Sequence, residues 1–179
     1  MFANLKDSGY GIFEIPTMVL KKVRHLLSYP ICLLINESLG MGRFPDSLKH
    51  ASVTHVHMAD NPLLVSNYRL MSVLHWLNKL FEKAIATRLT GFAIKNSLLS
   101  VNQFVFLSRM STVDAITQLT EFIDDSTNRK SDTLCLFLDL KNAFETVDHQ
   151  ILLKKMKLYG VRGLPNLLIG NYLTTRMQR

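Results

Sequence analysis

The chain has 179 residues and carries 21 Lys and Arg against 14 Asp and Glu, so its formal net charge is +7 with neutral histidine. A hydrophobic content of 47%, with only 8 glycines and 5 prolines, excludes a disordered tail, a collagen-like repeat and a low-complexity linker. The length suits one domain with its own core, or part of a larger domain.

Neither a membrane span nor secretion is predicted. The most apolar early stretch, Met18–Ile35, is interrupted by charged residues and a proline, whereas a transmembrane helix needs about 20 mostly apolar residues. The start of the chain lacks the apolar core of a signal peptide. Cys32 and Cys135 lie far apart in the sequence, so we expect a reducing compartment and no disulfide framework.

Positive charge is concentrated near the C-terminus. Residues 1–139 hold 14 basic and 12 acidic side chains, a net of +2, whereas residues 140–179 hold seven basic and two acidic side chains, a net of +5. This distribution is compatible with a polyanionic partner. The alternative is a solvated helix face without a partner.

Apolar spacing predicts two helices near the N-terminus. The first covers Thr17–Leu27, and Pro30 is expected to end it and to open a second, Pro30–Leu39. Gly40 and Gly42 would close the second helix.

A strand and a long helix are predicted next. Asp46 is expected to cap a short helix, and Ala51–Met58 has the composition of a strand. Residues 60–66 are predicted to form a loop. The apolar stripe from Val73 to Phe92 then predicts the clearest helix of the chain.

Three later helices have recognisable start signals. Ser111 and Asp114 form a capping-box pattern in which Asp replaces the usual Glu. Asp148 can cap a helix over His149–Leu158, and Pro165 can open the last helix.

The apolar run Thr133–Leu138 comes after a predicted polar loop, residues 124–132, and ends at Asp139. Such a run predicts a strand buried on both faces, at the centre of a small antiparallel sheet flanked by helices. The fold class is therefore predicted to be helix-rich α+β. Exposure of Leu134 and Leu136 in a loop would contradict a buried strand at this position.

Asp139 is the strongest candidate for chemistry. A carboxylate at the end of a buried strand is held rigidly at the mouth of a sheet, where it can bind a hard divalent cation. Phe144 could form an aromatic wall of the same pocket. The alternative is that Asp139 merely ends the strand and caps the segment after it.

Other candidate sites are weaker. His55 and His57 would share one face of a strand, but no third ligand lies at metal-site spacing, so an exposed strand face is favoured over a metal site. Cys135 is interpreted as a small buried hydrophobe. The sequence contains no P-loop, dinucleotide fingerprint, nucleophile elbow or zinc pattern.

The segment from Phe137 to His149 resembles the first catalytic box of reverse transcriptases from non-LTR retrotransposons, most closely in the style of the jockey-like group. It reads Phe-Leu-Asp-Leu-Lys-Asn-Ala-Phe-Glu-Thr-Val-Asp-His. Further similarities occur in the order typical of that family, at Phe44–Ala51, Asn67–Arg69, Leu80–Lys83, Arg88–Leu89, Gln103–Phe106, Ser111–Thr112 and Leu158–Gly163.

The resemblance implies a right-hand polymerase, with residues 1–132 in the fingers region and residues 133–179 at the start of the palm. Exposure of Leu134 and Leu136 in a loop would contradict the palm assignment. It also implies an RNA template, a DNA primer and deoxynucleotides as partners, and no membrane. Members of the family act in the cytoplasm and the nucleus, which is the localisation expected here.

The same resemblance implies site residues. Asp139 would be the catalytic aspartate and would bind Mg²⁺, with the backbone carbonyl of Leu140 as a secondary ligand. Phe144 would lie under the sugar and select deoxynucleotides. Arg69 would contact the triphosphate of the incoming nucleotide, because a planar guanidinium suits phosphate oxygens.

Departures from the family pattern favour a decayed or truncated copy that does not catalyse DNA synthesis. The chain ends before the Phe-Ala-Asp-Asp box that supplies the other metal-binding aspartates. Two alternatives are a non-catalytic basic module that binds nucleic acid and a relic without function. The positions at which this sequence departs from the residues usual in the family are Met58, Leu70, Val105, Leu107, Asn142 and Glu145.

Overall fold

The computed structural model describes residues 15–58, 61–108, 110–140 and 143–178, apart from the side chains of Thr17 and Ser66. Lys141 and Asn142, which belong to the catalytic-box resemblance, lie outside the described residues. The helices are α1 (Thr17–Lys22), α2 (Arg24–Met41), α3 (Trp76–Lys95), α4 (Thr112–Asn128), α5 (His149–Leu158) and α6 (Leu164–Leu173). The strands are β1 (His50–His57), β2 (Tyr68–Val73) and β3 (Met177–Gln178).

The chain divides into two compact units. The first consists of residues up to Leu89 and from Asp148 onward, and the second is Thr90–Val147. In the first unit α2 and α5 both pack against α6. Its core is formed by Ile31, Ile35, Phe44, Leu48, Leu80, Phe81, Ala84 and Leu168.

The break between the first two helices lies at Val23, not at Pro30. Pro30 is inside α2, so the predicted boundary is wrong. An internal proline costs about 3 kcal/mol in an isolated helix, but here Ile31 and Ile35 of the same helix are buried in the core and offset that cost. Gly42 ends α2 in the left-handed conformation, as its position in the sequence predicted.

The sheet is mixed, with the strand order β2-β1-β3. β1 is antiparallel to β2 over Ser52–His57 and parallel to β3 at His50 and Ala51. The prediction of β1 is confirmed, whereas the prediction of a purely antiparallel sheet is wrong. The sequence analysis missed β2, which is exposed at most positions and lacks a clear apolar face.

The predicted central strand Thr133–Asp139 is wrong. This segment forms neither helix nor strand, and Leu134 is 96% exposed. Leu136 and Cys135 are exposed as well, so Cys135 is not a buried hydrophobe. A strand buried on both faces needs neighbouring strands for its backbone hydrogen bonds, and among the described residues no strand pairs with this segment.

The predicted starts of α4, α5 and α6 are confirmed. Asp114 N–H donates to Ser111 Oγ, and Ser111 N–H donates to Asp114 Oδ2, which completes the capping box of α4. Asp148 accepts two backbone hydrogen bonds at the start of α5, and Pro165 lies in the first turn of α6. The loop predicted for residues 124–132 begins later, because α4 continues to Asn128.

The predicted cap at Asp46 is wrong, because the short 3-10 helix Asp46–Leu48 has Pro45 as its N-cap residue and no side-chain cap. The long helix α3 begins at Trp76, since Val73 belongs to β2.

Within the described residues, no helix has both the length and the apolar character needed to cross a membrane.

Replacing Asp148 with alanine is expected to lower the free energy of unfolding of the first unit by about 1 kcal/mol. The Asp148 carboxylate accepts from the N–H groups of Gln150 and Ile151 at 2.8 and 2.9 Å, and alanine leaves both donors without this acceptor. Chemical denaturation followed by circular dichroism measures the loss. Asp148→Asn keeps an acceptor oxygen and should retain most of the stability, so equal losses in the two variants would contradict a capping role.

Candidate functional site

Asp139 lies directly after the apolar run and is exposed, as is Leu140. Because the run is not a strand, no sheet holds the Asp139 carboxylate in place. The expected rigid positioning of this carboxylate is therefore wrong, although its exposure leaves it accessible from solvent.

Phe144 packs edge-to-face against Phe106. The two ring centroids are 6.2 Å apart and the ring planes are 78° from parallel. Both residues belong to segments that resemble sequence motifs of the non-LTR reverse transcriptases. No sequence pattern predicted a contact between them. The closeness of the Asp139 carboxylate to the Phe144 ring stays a prediction.

The donor groups present do not fit a two-metal centre. Among the described residues, no group of three or more His, Cys, Asp or Glu side chains lies close enough together to hold a metal ion. Mg²⁺ takes six oxygen ligands, of which a protein usually supplies one or two carboxylates while water and substrate phosphates supply the rest. A centre of two ions needs more protein ligands than Asp139 and the carbonyl of Leu140, which are all that the resemblance supplies. No catalytic step through a metal can be derived from these residues.

Arg69 lies on β2 opposite Val56 and is exposed. Directly opposite residues in antiparallel strands share a face, so Arg69 is on the face of the β1–β2 ribbon that also bears Val56. His55 and His57 lie on the other face and are exposed, with the His57 ring 5.2 Å from the Tyr68 ring. The interpretation of the histidine pair as an exposed strand face is confirmed.

Lys49, within the similarity at Phe44–Ala51, is structural. Its side chain is only 3% exposed, and Nζ forms an ion pair with Asp46 at 2.8 Å. Nζ also donates to Thr175 Oγ1 at 3.2 Å. The hydrogen bond and the charge of Lys49 lower the pKa of Asp46. The buried ammonium thus connects the turn before β1 with the segment that leads into β3.

A polar cluster that sequence reasoning missed joins α3, α6 and the approach to β3. Tyr172 Oη donates to Glu82 Oε1 at 2.6 Å, and an Arg176 nitrogen lies 3.7 Å from the same oxygen. The Arg176 guanidinium also lies 4.4 Å from the centroid of the Tyr172 ring. These three side chains line a cavity of about 500 Å³ beside the sheet. Glu82 falls in a family-like segment, but no local pattern connects it to residues near the C-terminus.

Tyr172 is expected to ionise at a pH about two units higher than an ordinary tyrosine does. Burial and the hydrogen bond to Glu82 raise its pKa to about 12. Because the folded state favours the neutral phenol, the contribution of Tyr172 to the free energy of unfolding is fully present below pH about 10, the pKa in the unfolded chain. This contribution is lost as the pH rises through about 12. Phenolate absorbance measures the titration. Glu82→Gln should lower the pKa of Tyr172, and an unchanged late titration in Tyr172→Phe would contradict the assignment.

Comparison with known proteins identifies the family. Residues 49–179 match the family model described as reverse transcriptase (RNA-dependent DNA polymerase). The probable RNA-directed DNA polymerase from transposon BS of Drosophila melanogaster is 30% identical over 82% of this chain. The RNA-directed DNA polymerase from mobile element jockey of the same species is 30% identical over 71% of the chain. The probable RNA-directed DNA polymerase from transposon X-element, also of that species, is 28% identical over 87%.

The matched regions cover 16%, 14% and 17% of those three proteins, so the chain spans about one sixth of the length of these relatives. The family model covers most of the chain, including the segment with Asp139 and Phe144. The chain therefore belongs to the reverse transcriptase family, in the branch formed by non-LTR retrotransposons.

Proposed function

We propose that the chain is part of an enzyme that copies an RNA template into DNA by adding deoxynucleotides to a DNA primer. The observation that carries this proposal is the family match over residues 49–179. The names of the relatives from transposon BS and jockey, both RNA-directed DNA polymerases, support it.

In that enzyme, residues 1–132 belong to the fingers region and residues 133–179 begin the palm. The order of the family-like segments along the chain supports this division. The exposure of Leu134 and Leu136 outside any strand counts against a palm sheet formed by the described residues, so the division depends on the order of these segments.

The proposed site residues keep the roles that the resemblance implies. Asp139 and the carbonyl of Leu140 contribute to Mg²⁺ binding in the complete enzyme, in a family that generally uses divalent metal ions. Phe144 lies against the sugar of the incoming nucleotide, and Arg69 contacts its phosphates. The exposure of Arg69 and Phe144 supports these roles, since both side chains are accessible to a ligand.

The 179-residue chain itself is proposed to bind nucleic acid without synthesising DNA. A single candidate carboxylate cannot hold two metal ions, so the chemistry requires ligands beyond Asp139. A primer-extension assay on an RNA template, with deoxynucleotides and Mg²⁺, tests this proposal, and we expect no incorporation. Incorporation that depends on Mg²⁺ and disappears in Asp139→Ala would overturn it, because a second chain would then have to supply the remaining carboxylates.

One observation favours a non-catalytic role in binding nucleic acid. Residues 149–179 contain six Lys and Arg and no Asp or Glu. A cooperative thermal melt together with nucleic-acid binding would separate such a module from a relic that does not fold.

A further inference from the structure

The outer face of α5 combines cations with apolar and aromatic side chains. The inner face of α5 packs on α6, where Asn166 Nδ2 donates to the carbonyl of Leu153 at 3.1 Å. We term the outer face, together with the residues directly after the helix, the α5 basic face. It consists of Lys154, Lys155, Lys157, Leu158, Tyr159 and Arg162, all of them exposed.

Helical spacing places these groups next to one another. Residues three or four positions apart are neighbours on a helix surface, so Lys154 is flanked by Lys157 and Leu158. Lys155 has Tyr159 as its neighbour one turn on. Leu158 is 81% exposed and Tyr159 is 59% exposed. Cations and uncovered apolar surface therefore alternate over little more than two turns.

The acidic residues nearest to this face in the sequence, Glu145 and Asp148, lie before the first turn of α5. Neither α5 nor α6 contains an Asp or Glu. Arg162 Nε donates to the carbonyl of Lys157 at 3.0 Å, which fixes the guanidinium at the C-terminal end of α5. Arg176 is engaged differently, because it faces Glu82 and Tyr172. Four cations thus share one surface.

The helix dipole explains only part of this arrangement. Lys155 and Lys157 lie in the last turn of α5, where positive charge is favourable, and Asp148 caps the opposite end. Helix stability does not require Lys154 in the middle of α5, nor an exposed leucine and tyrosine among the lysines. The combination fits a ligand that offers negative charges and flat apolar surfaces at short intervals.

We propose that the α5 basic face binds single-stranded nucleic acid, with the lysines and Arg162 neutralising phosphates and Tyr159 stacking on a base. Single strands expose their bases to aromatic side chains, whereas a duplex keeps its bases stacked internally. This inference rests on the proposed function and names the surface through which the chain contacts nucleic acid.

The test compares two triple variants in the full chain. Lys154→Gln, Lys155→Gln and Lys157→Gln together remove three charges from the α5 basic face. The matched control, Lys83→Gln, Lys95→Gln and Lys130→Gln, removes three exposed charges from α3 and from the segment after α4. Binding to a fluorescently labelled oligo(dT) is measured by anisotropy over a range of salt concentrations, and circular dichroism verifies that both variants fold.

The α5 variant is expected to bind about 100-fold more weakly at about 0.1 M salt, and its log–log salt slope should be shallower by about 2 units, since each phosphate contact contributes roughly 0.7 on single strands. The control variant should change affinity by much less. Equal losses in the two variants, or an unchanged affinity in the α5 variant, would overturn the inference and leave the proposed polymerase origin standing. Absence of any binding by the wild-type chain would overturn the inference and the proposed binding role together.

Tyr159→Leu provides an independent test, because leucine keeps the apolar surface and removes the aromatic ring. We expect roughly tenfold weaker binding, in line with the loss of one stacked base, with an unchanged salt slope. Vesicles of anionic phospholipid are the competing ligand. Tighter binding to such vesicles than to oligo(dT), lost in the α5 triple variant, would overturn the proposal in favour of a lipid surface.

Discussion

Replacing Phe44 with alanine is expected to lower the free energy of unfolding of the first unit by about 3–5 kcal/mol. Phe44 is 2% exposed, and its ring makes edge-to-face contacts with Phe81 and Tyr172 at centroid distances of 5.5 and 5.0 Å. Its N–H donates to Asn171 Oδ1 at 2.8 Å, so the residue also connects the end of α2 with α6. Alanine would leave a cavity between these elements. Urea denaturation followed by tryptophan fluorescence and circular dichroism measures the effect.

Phe137→Ala is the matched control for that change. Phe137 belongs to the catalytic-box resemblance, but its side chain is 80% exposed, so its removal should change stability by less than about 0.5 kcal/mol. A large loss of stability in Phe137→Ala would show that the apolar run is buried in solution. Comparable losses in the two variants would contradict the central place of Phe44 in the core.

The starts of α4 and α5 were predictable from the sequence because the side-chain caps that define them are local. Ser111 and Asp114 are three residues apart, and Asp148 contacts the next turn of its own helix. Pro30 shows the limit of this reasoning. Local chemistry predicts a helix break there, but the burial of Ile31 and Ile35 keeps α2 continuous.

Strand formation was less predictable because a strand depends on partners distant in sequence. The run Thr133–Leu138 has the composition of a buried strand, yet in the described structure it has no partner strand and remains exposed. β2 shows the reverse case. Its residues are mostly exposed, and pairing with β1 from Ser52 to His57 makes it a strand.

The candidate site could be predicted from motif similarity, but its geometry could not. The family-like segments identify Arg69, Asp139 and Phe144, and the family match covers all three positions. Their roles stay predictions: under the proposed function their arrangement would depend on a palm sheet, and residues 133–139 form no strand. Contacts such as that between Phe106 and Phe144 depend on loop conformation, including the positive φ of Phe106, and no local pattern encodes them.

Alanine substitutions at Gly40 and Gly42 are expected to change stability in opposite directions. Gly40 lies within α2, and a Cβ there would meet nothing within 4 Å. Because glycine costs roughly 0.5–1 kcal/mol relative to alanine inside a helix, Gly40→Ala should raise the free energy of unfolding by up to that amount.

Gly42→Ala should lower the free energy of unfolding by about 2 kcal/mol, for two reasons that add. Gly42 has a φ of +66°, and a side chain in the left-handed conformation costs roughly 1–2 kcal/mol. Its Cβ would also lie 3.1 Å from Leu167 Cδ2 and 3.2 Å from the carbonyl oxygen of Leu164, where α6 begins. That carbonyl is backbone and cannot move aside without displacing α6. Urea denaturation of both variants gives the sign directly. Equal shifts would mean that α2 does not end at Gly42 in the left-handed turn that brings it against α6.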